Sequence, residues 1–231
     1  MTGSGPGSIH ASSEDNTSLN AWQKDHLIKT DLVSAILGIM AILFAWFTIL
    51  LAIHFNPWFR VDVNALSDLG GRASGSNSHP YPSYPFVYNG GIMITGGLIV
   101  IFSASVIRRS AYRTEILGFS FLTLSGVFLA LVGLYHEGMY PHVFLAEWFF
   151  LLGKISFLII GAALIIGKSE VYGISMVVFN IIAWIIEVSI KFTSVAESEI
   201  YGIIVLDILI AIYIMHILRR HRISRLSLDS R

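Results

Sequence analysis

Six long apolar runs recur along this sequence and constrain what it can fold into. A helix of about 20 apolar residues crosses the roughly 30 Å hydrocarbon core of a bilayer. That core admits only structures that satisfy their own backbone hydrogen bonds, which are helices and closed barrels. The sequence therefore predicts an all-α fold, a polytopic membrane bundle of six transmembrane helices at residues 32–55, 86–107, 115–135, 143–166, 171–190 and 200–218.

Composition supports this class and excludes others. The 231 residues are 55% hydrophobic and 13% charged, which is more apolar and less charged than an ordinary soluble domain. The formal net charge is zero, so there is no basic surface to attract nucleic acid, and no nucleic-acid partner is predicted. The chain has no cysteine, which excludes disulfides, thiolate metal sites and cysteine nucleophiles.

The positions of Lys and Arg predict how the bundle is oriented, because cytoplasmic loops retain these residues. One side carries most of them, and the opposite side carries Arg60, Arg72 and Lys191. Both termini are therefore expected to face the cytoplasm. The protein itself is expected to lie in the cell membrane. The cytoplasmic set is Lys24, Lys29, Arg108, Arg109, Arg113, Lys168, Arg219, Arg220, Arg222, Arg225 and Arg231.

Three regions follow from these patterns. Residues 1–20 are rich in Gly and Ser and are predicted to be a disordered tail. Residues 21–218 form the six-helix transmembrane domain, with a long outer loop at 56–85. Residues 219–231 form a basic cytoplasmic tail, which we expect to rest on anionic head groups.

Polar residues concentrate at the predicted outer face. Ser67 and Asp68 lie in the long loop, and His136, Glu137 and His142 lie in or beside the short loop between the third and fourth helices. This pattern is compatible with a solvated rim, a binding site or a catalytic site. No H-E-x-x-H motif and no pair of histidines four apart on a helix is present, so no metal and no cofactor are predicted.

Ionisable residues also fall inside the predicted helices, where a charge is costly and usually faces a partner or a cavity. Glu147 and Lys154 are seven residues apart, on one face of the fourth helix, and Asp207 lies in the sixth. Lys154 is expected to pair with Asp207, with Glu147 or with both. Such a network fits a packing bridge or an ion path. Glu187 and Lys191 are expected to form an exposed helical pair.

Small residues predict where helices approach closely. Gly90 and Gly97 in the second helix, and Gly126 and Gly133 in the third, are each seven residues apart. Each pair is expected to form a packing stripe.

Several of these segments together resemble a known family. "LSDLG" after the first helix, "FVYNGGIMITGGLI" in the second and "LSGVFLALVGLYHEGMYPHVFLAEWFF" across the third and fourth resemble DUF998, uncharacterised six-helix membrane proteins. The resemblance covers roughly residues 32–168 and implies fold and topology, without an activity. The positions that carry it are Ser67, Asp68, Asn89, Gly97, Gly126, Gly133, Glu137 and His142.

The resemblance suggests a local arrangement. Asp68 and Asn89 are expected to close the long loop onto the second helix, while Glu137 and His142 complete the same polar patch. Asp68 serves equally well as a structural clamp, because Asp readily caps turns.

The predicted function is non-enzymatic binding of a lipid head group, a small solute or a partner subunit at the outward patch. Membrane lipids and a protein partner or second copy are the expected partners. A membrane-embedded lipid hydrolase and an ion- or proton-coupled transporter are the alternatives. The last helix offers His216 alone, without the pair of histidines that multispanning zinc hydrolases carry.

Overall fold

A computed structural model describes residues 10–72, 75 and 79–229, with side chains described within 30–222. These residues contain six long helices, all long and apolar enough to cross a membrane, as the sequence predicted. A short 3₁₀ turn, Leu66–Leu69, lies in the loop after the first helix. The helices are α1 His10–Phe55, α2 Pro85–Ile107, α3 Arg113–Leu134, α4 His142–Ile166, α5 Glu170–Ser189 and α6 Val195–Asp229.

The four middle helices begin and end within two residues of their predicted limits, whereas the first and last helices are longer than predicted. Helical backbone begins at His10, so residues 10–20 of the predicted tail are helical, and residues 1–9 lie outside the described residues. At the other end, α6 continues through the predicted basic tail to Asp229. The apolar spans within these two helices are Thr30–Phe55 and Val195–Arg222.

Consecutive helices are neighbours in the bundle, and α6 returns to pack against α1, α4 and α5. Large side chains fill the interior, among them Phe102, Phe119, Phe157 and Tyr213, all fully buried. We call the end of the bundle that carries residues 56–84, 135–141 and 190–194 the loop-1 end. The opposite end, with residues 108–112, 167–169 and 219–222, is the tail end.

Close contact between α2 and α3 depends on glycine. A Cβ at Gly96 would lie 2.5 Å from the carbonyl oxygen of Gly126, and a Cβ at Gly133 would lie 2.4 Å from that of Asn89. The prediction for α3 is therefore confirmed. The prediction for α2 was wrong, because Gly90 and Gly97 face open space while their neighbours Gly91 and Gly96 make the contacts. The seven-residue spacing of Gly90 and Gly97 therefore pointed to a face of α2 that does not pack against another helix.

The long loop, residues 56–84, is held at its two ends by one buried amide. The Asn56 side chain donates to the carbonyl of Ser83 (3.2 Å) and accepts from the Ser83 amide (2.7 Å). Between these ends, Arg60 and Asp62 form an exposed ion pair at 2.7 Å, and hydrogen bonding from Arg60 holds the pKa of Asp62 below its ordinary value. The described parts of the loop, residues 56–72 and 79–84, therefore form a structured cover on the loop-1 end.

Candidate functional site

The Gly70–Gly71 pair lets the long loop pass between α2 and the α3–α4 connection. A Cβ at Gly70 would lie 2.1 Å from Oδ1 of Asn89, and one at Gly71 would lie 2.3 Å from the carbonyl oxygen of Glu137. The Asn89 amide donates to the carbonyl of Gly70 at 2.8 Å. Asn89 therefore closes the loop onto α2, as predicted, and the two glycines are needed for space. Asp68 was expected to share this role, but it contacts Ala65 and His79 within the loop instead.

The Ser67 hydroxyl and the His142 ring both approach one carboxylate oxygen of Glu137 at this end. The Ser67 hydroxyl donates to Oε2 of Glu137 at 3.0 Å, and Nε2 of His142 lies 3.2 Å from the same oxygen. On the other side of the ring, Nδ1 of His142 donates to the carbonyl of Tyr135 at 2.7 Å. Because Nδ1 faces a carbonyl, it must carry a proton.

Asp68 contacts two parts of the long loop, its 3₁₀ turn and His79. Its Oδ2 accepts the amide of Ala65 (2.9 Å) across the 3₁₀ turn, and its Oδ1 lies 3.1 Å from Nε2 of His79. The His79 ring stacks on Trp58 at 4.6 Å, and its Nδ1 donates to the carbonyl of Pro80 at 2.8 Å. Asp68 thus caps a turn and fixes the far part of the loop against its base.

Of the six residues predicted to bind a ligand, four line a common pocket and two do not. Ser67, Asp68, Glu137 and His142 face the pocket. Asn89 holds the Gly70 carbonyl, and Nδ1 of His136 lies 3.0 Å from the carbonyl of Glu137, so both act on backbone groups.

This pocket has a volume of about 490 Å³ and lies between the long loop and the first turns of α4 and α6. We call it the outer pocket because it lies at an end of the bundle, and the name assigns no side of the membrane. Lys and Arg are absent from its described lining, whereas five carboxylates are present. Apolar side chains, including Val143 and Phe150, complete the wall. The carboxylates are those of Asp68, Glu137, Glu147, Glu187 and Glu199.

Glu199 is the principal residue that sequence reasoning missed. Its Oε2 accepts the amide of Leu66 at 2.6 Å and so joins α6 to the 3₁₀ turn. The predicted sixth helix began one residue later, which left Glu199 in a loop. The Ser-x-x-Glu spacing of Ser194 and Glu197 was a signal for the true start. In the structure the Ser194 hydroxyl accepts the amide of Glu197 (3.1 Å), and Glu197 accepts the amide of Thr193 (2.8 Å).

A second cavity, of about 80 Å³, lies deeper in the bundle between α1, α2, α3, α4 and α6. Its wall is mostly apolar, and its polar members Thr95 and Ser125 are bonded to backbone carbonyls at 2.9 and 2.8 Å. The cavity and the outer pocket share Ser67, His142 and Glu199. The polar pocket and the apolar cavity are therefore neighbours in the bundle.

The prediction of an ion-pair partner for Lys154 was wrong. Its ammonium group forms an ion pair with Glu187 of α5 rather than with Asp207 or Glu147. Side chains on a helix point toward its N-terminus, so Lys154 extends along α4 toward the loop-1 end, where Glu187 lies near the end of α5. Glu187 was expected to pair with Lys191, but it pairs with the buried ammonium group of Lys154.

Asp207 instead contacts α1. Its Oδ2 accepts the indole N–H of Trp46 at 2.7 Å, at the wall of the apolar cavity. Glu147 is exposed at the rim of the outer pocket, and the described residues give it neither an ion pair nor a hydrogen bond. The three predicted intramembrane charges thus have three separate environments.

A further buried network, at the tail end, was not predicted. Asp31 of α1 forms ion pairs with Arg109 and with Arg220, whose Nη2 lies 2.6 Å from Oδ1. Arg109 also donates to the hydroxyl of Tyr213 (3.2 Å), which donates to Glu115 at 2.6 Å. Asp31 and Glu115 stand at or beyond the predicted helix ends, where carboxylates are normally solvated.

Helices and polar clusters together define the class of protein: a multi-pass membrane protein with six spanning helices and a polar pocket at one end. The chain belongs to the family described as protein of unknown function (DUF998), whose model matches residues 39–216. This confirms the resemblance and extends it through α5 and most of α6. Comparisons with curated proteins and with solved structures gave no match. In the described part of the chain, no three His, Asp or Glu side chains are grouped to hold a metal ion.

Proposed function

We propose that this protein binds, at the outer pocket, a membrane amphiphile whose head group carries an ammonium group. The observation that carries the proposal is the charge of the pocket lining. His79 pairs with Asp68, His142 with Glu137, and Lys154 with Glu187.

Glu199 and Glu147 remain without a cationic partner among the described side chains. Glu199 is half-buried and accepts one backbone amide, which is little compensation for an ionised carboxylate removed from water. A ligand ammonium in the pocket would supply the missing charge and a charge-assisted hydrogen bond.

The shape of the site favours an amphiphile over a small polar solute. The apolar cavity shares Ser67, His142 and Glu199 with the polar pocket, so an apolar space adjoins the position of a head group at Glu199. Its volume of about 80 Å³ is several times the ~10–15 Å³ that one water requires. Lipid head groups would reach the pocket from the interface, beside the exposed side chain of Val143.

Orientation is part of the proposal. The excess of Lys and Arg at the tail end favours a cytoplasmic location for that end, which would make the outer pocket face outward. Because the chain has no native cysteine, Met139→Cys and Lys168→Cys can each be labelled in intact cells with an impermeant maleimide. Labelling of Met139→Cys alone supports the orientation, and labelling of Lys168→Cys alone contradicts it.

Binding can be tested with three ligands of one chain length: hexadecylamine, hexadecanol and palmitate. Native mass spectrometry of the full chain in neutral detergent should show the amine bound at least about tenfold more tightly than the alcohol, since one charge-assisted bond contributes about 1.5–3 kcal/mol. Butylamine tests whether the ligand needs its chain. Competition by butylamine at equal concentration would favour a small solute.

Two variants of one helix make a matched pair for this test. Glu199→Gln should remove the preference for the amine. Glu197→Gln removes the same charge two residues away, outside the pocket lining, and should retain the preference. Equal affinity for amine and alcohol in the unmodified protein would contradict the proposal.

A membrane-embedded hydrolase is the second candidate, favoured by the hydrogen bond from Ser67 to Glu137. In that mechanism a base takes the serine proton, and Glu137 is placed to do so. Hydrolytic triads place an imidazole next to the serine, whereas the described contacts put the carboxylate between Ser67 and His142. Fluorophosphonate labelling of the full chain, with Ser67→Ala as control, decides between the two. Labelling lost in the variant would favour the hydrolase.

A further inference from the structure

A second pocket, of about 520 Å³, lies at the tail end between α5 and α6. Its charge is opposite to that of the outer pocket, because Lys168, Arg219 and Arg220 line it with a single carboxylate, Glu170. Arg220 is already bonded to Asp31. Within the described residues, Lys168 and Arg219 form no ion pair, so their charges are available to a ligand.

His216 is the least expected residue in this lining. It is 9% exposed and packs against the rings of Tyr172 (5.5 Å) and Tyr213 (5.9 Å). The part of the chain that the structure describes offers no hydrogen bond to either ring nitrogen. Buried polar side chains normally have such partners. The ring of His216 is nine-tenths buried, yet its nitrogens stay accessible at the wall of the pocket, where a ligand can bond to them.

The first turn of α5 adds donors to the same pocket. The amides of Glu170 and Val171 open the helix, and no described group accepts a hydrogen bond from them. Ser169, which precedes them, makes no side-chain cap. Free amides and the positive end of the helix dipole favour an anion at this position. The guanidinium of Arg219 lies over the ring of Tyr172, 6.0 Å from its centroid, beside this turn.

We propose that this tail-end pocket binds a phosphate monoester, with Lys168 and Arg219 supplying charge, His216 a hydrogen bond and the start of α5 its amides. The location at the ends of two spanning helices favours the head group of a phosphatidate-type lipid. A free phosphate has the same chemistry, so the test includes both. The site is distinct from the outer pocket and does not depend on the function proposed there.

Binding can be measured with the full chain in neutral detergent by isothermal titration, with dihexanoyl phosphatidate, dihexanoyl phosphatidylcholine and inorganic phosphate as probes. We expect phosphatidate to bind at least tenfold more tightly than phosphatidylcholine. Arg219→Gln and Lys168→Gln should each weaken phosphatidate about tenfold, His216→Phe about threefold to tenfold, and Glu170→Gln should strengthen it. Arg222→Gln is the matched control, since it removes the same charge from an exposed position outside the lining.

Each outcome has a defined meaning. Weakening by Arg219→Gln with little change for Arg222→Gln supports the pocket, and inorganic phosphate that binds equally well with the same variant pattern assigns it to a soluble anion. Equal weakening by the two variants would show diffuse attraction and overturn the proposal, as would the absence of binding by both phosphate probes. Circular dichroism of each variant checks that it is folded. His216→Gln, which keeps polar atoms, is a second test if His216→Phe does not fold.

Discussion

The buried ion network at the tail end and the outer pocket at the loop-1 end hold charged side chains in opposite ways. At the tail end, Asp31 and Glu115 are 4% and 7% exposed, and each meets a cation or a hydroxyl from another helix. At the loop-1 end, Glu137 and Glu187 have side chains 21% and 31% exposed, and they border an open pocket with further carboxylates. The network is closed and its charges compensate one another, whereas the outer pocket is open and has an excess of negative charge.

We interpret this difference as one between polar groups that join helices and polar groups that can bind a ligand. A buried ion network whose charges compensate one another joins helices, and its loss leaves uncompensated charge. A pocket that keeps like charges together is a less stable arrangement that a ligand can improve, as expected of a binding site. The tail-end network should therefore control the free energy of unfolding, while the outer pocket should control ligand affinity.

The largest effect is expected for Asp31→Asn. It leaves Arg109 and Arg220 without their carboxylate, and the Arg109 side chain is only 4% exposed. Loss of one partner from a buried ion pair costs about 3–5 kcal/mol. The free energy of unfolding, measured by SDS titration in mixed micelles, should fall by that amount. Asp62→Asn breaks an exposed Asp–Arg pair as the control and should have little effect. Similar losses in the two variants would contradict the distinction between the ends.

A smaller and asymmetric effect is expected for the Lys154–Glu187 pair. Glu187→Gln leaves an ammonium that is 7% exposed, whereas Lys154→Met leaves a carboxylate that is 31% exposed and can be hydrated. The first change should cost roughly 2–3 kcal/mol and the second about 1 kcal/mol, below the value for a fully buried pair. A double-mutant cycle in the same micelles measures the coupling. Equal costs would show that both partners are equally desolvated.

Asp68→Ala should cost about 1 kcal/mol, because it removes a turn cap and a contact with His79. Limited proteolysis of the long loop should become faster. Asp68→Asn keeps the capping oxygen and is the matched control. If amine binding persists in Asp68→Ala, the residue is a clamp. If binding is lost while unfolding is unchanged, the residue contacts the ligand directly.

The smallest effect on stability, with the opposite sign, is expected for Glu199→Gln. The amide oxygen of Gln can still accept the hydrogen bond from Leu66, and the change removes one negative charge from an acidic pocket. The free energy of unfolding should rise by roughly 0.5 kcal/mol while amine binding falls. A loss of several kcal/mol in the micelle titration would place Glu199 with the structural residues instead.

Much of the fold could be predicted from the sequence, because long apolar runs have few structural solutions in a bilayer. The four middle helices were located closely, since polar loops bound them on both sides. The last helix was not, because its first turn, Val195–Ser198, is more polar than its centre. That error of a few residues moved Glu199 from a helix to a loop and hid its contact with Leu66.

Partners within the candidate site were harder to predict than its members. Ser67, Glu137 and His142 were identified as polar residues near one face, and the structure joins them. The partner of Lys154 depends on which helix packs beside α4 and on which residue of that helix lies at the same depth in the bundle. The spacing of residues along one helix indicates neither. The pair Asp31–Arg220 joins residues 189 positions apart, so no local pattern could indicate it.

The passage of Gly70 and Gly71 between Asn89 and Glu137 has a consequence for evolution. Any larger residue at position 70 would meet the amide of Asn89, and any at 71 would meet main-chain atoms that no substitution removes. In other members of the family, position 70 should therefore vary only together with position 89. Position 71 should stay glycine wherever the short connection after α3 keeps its length.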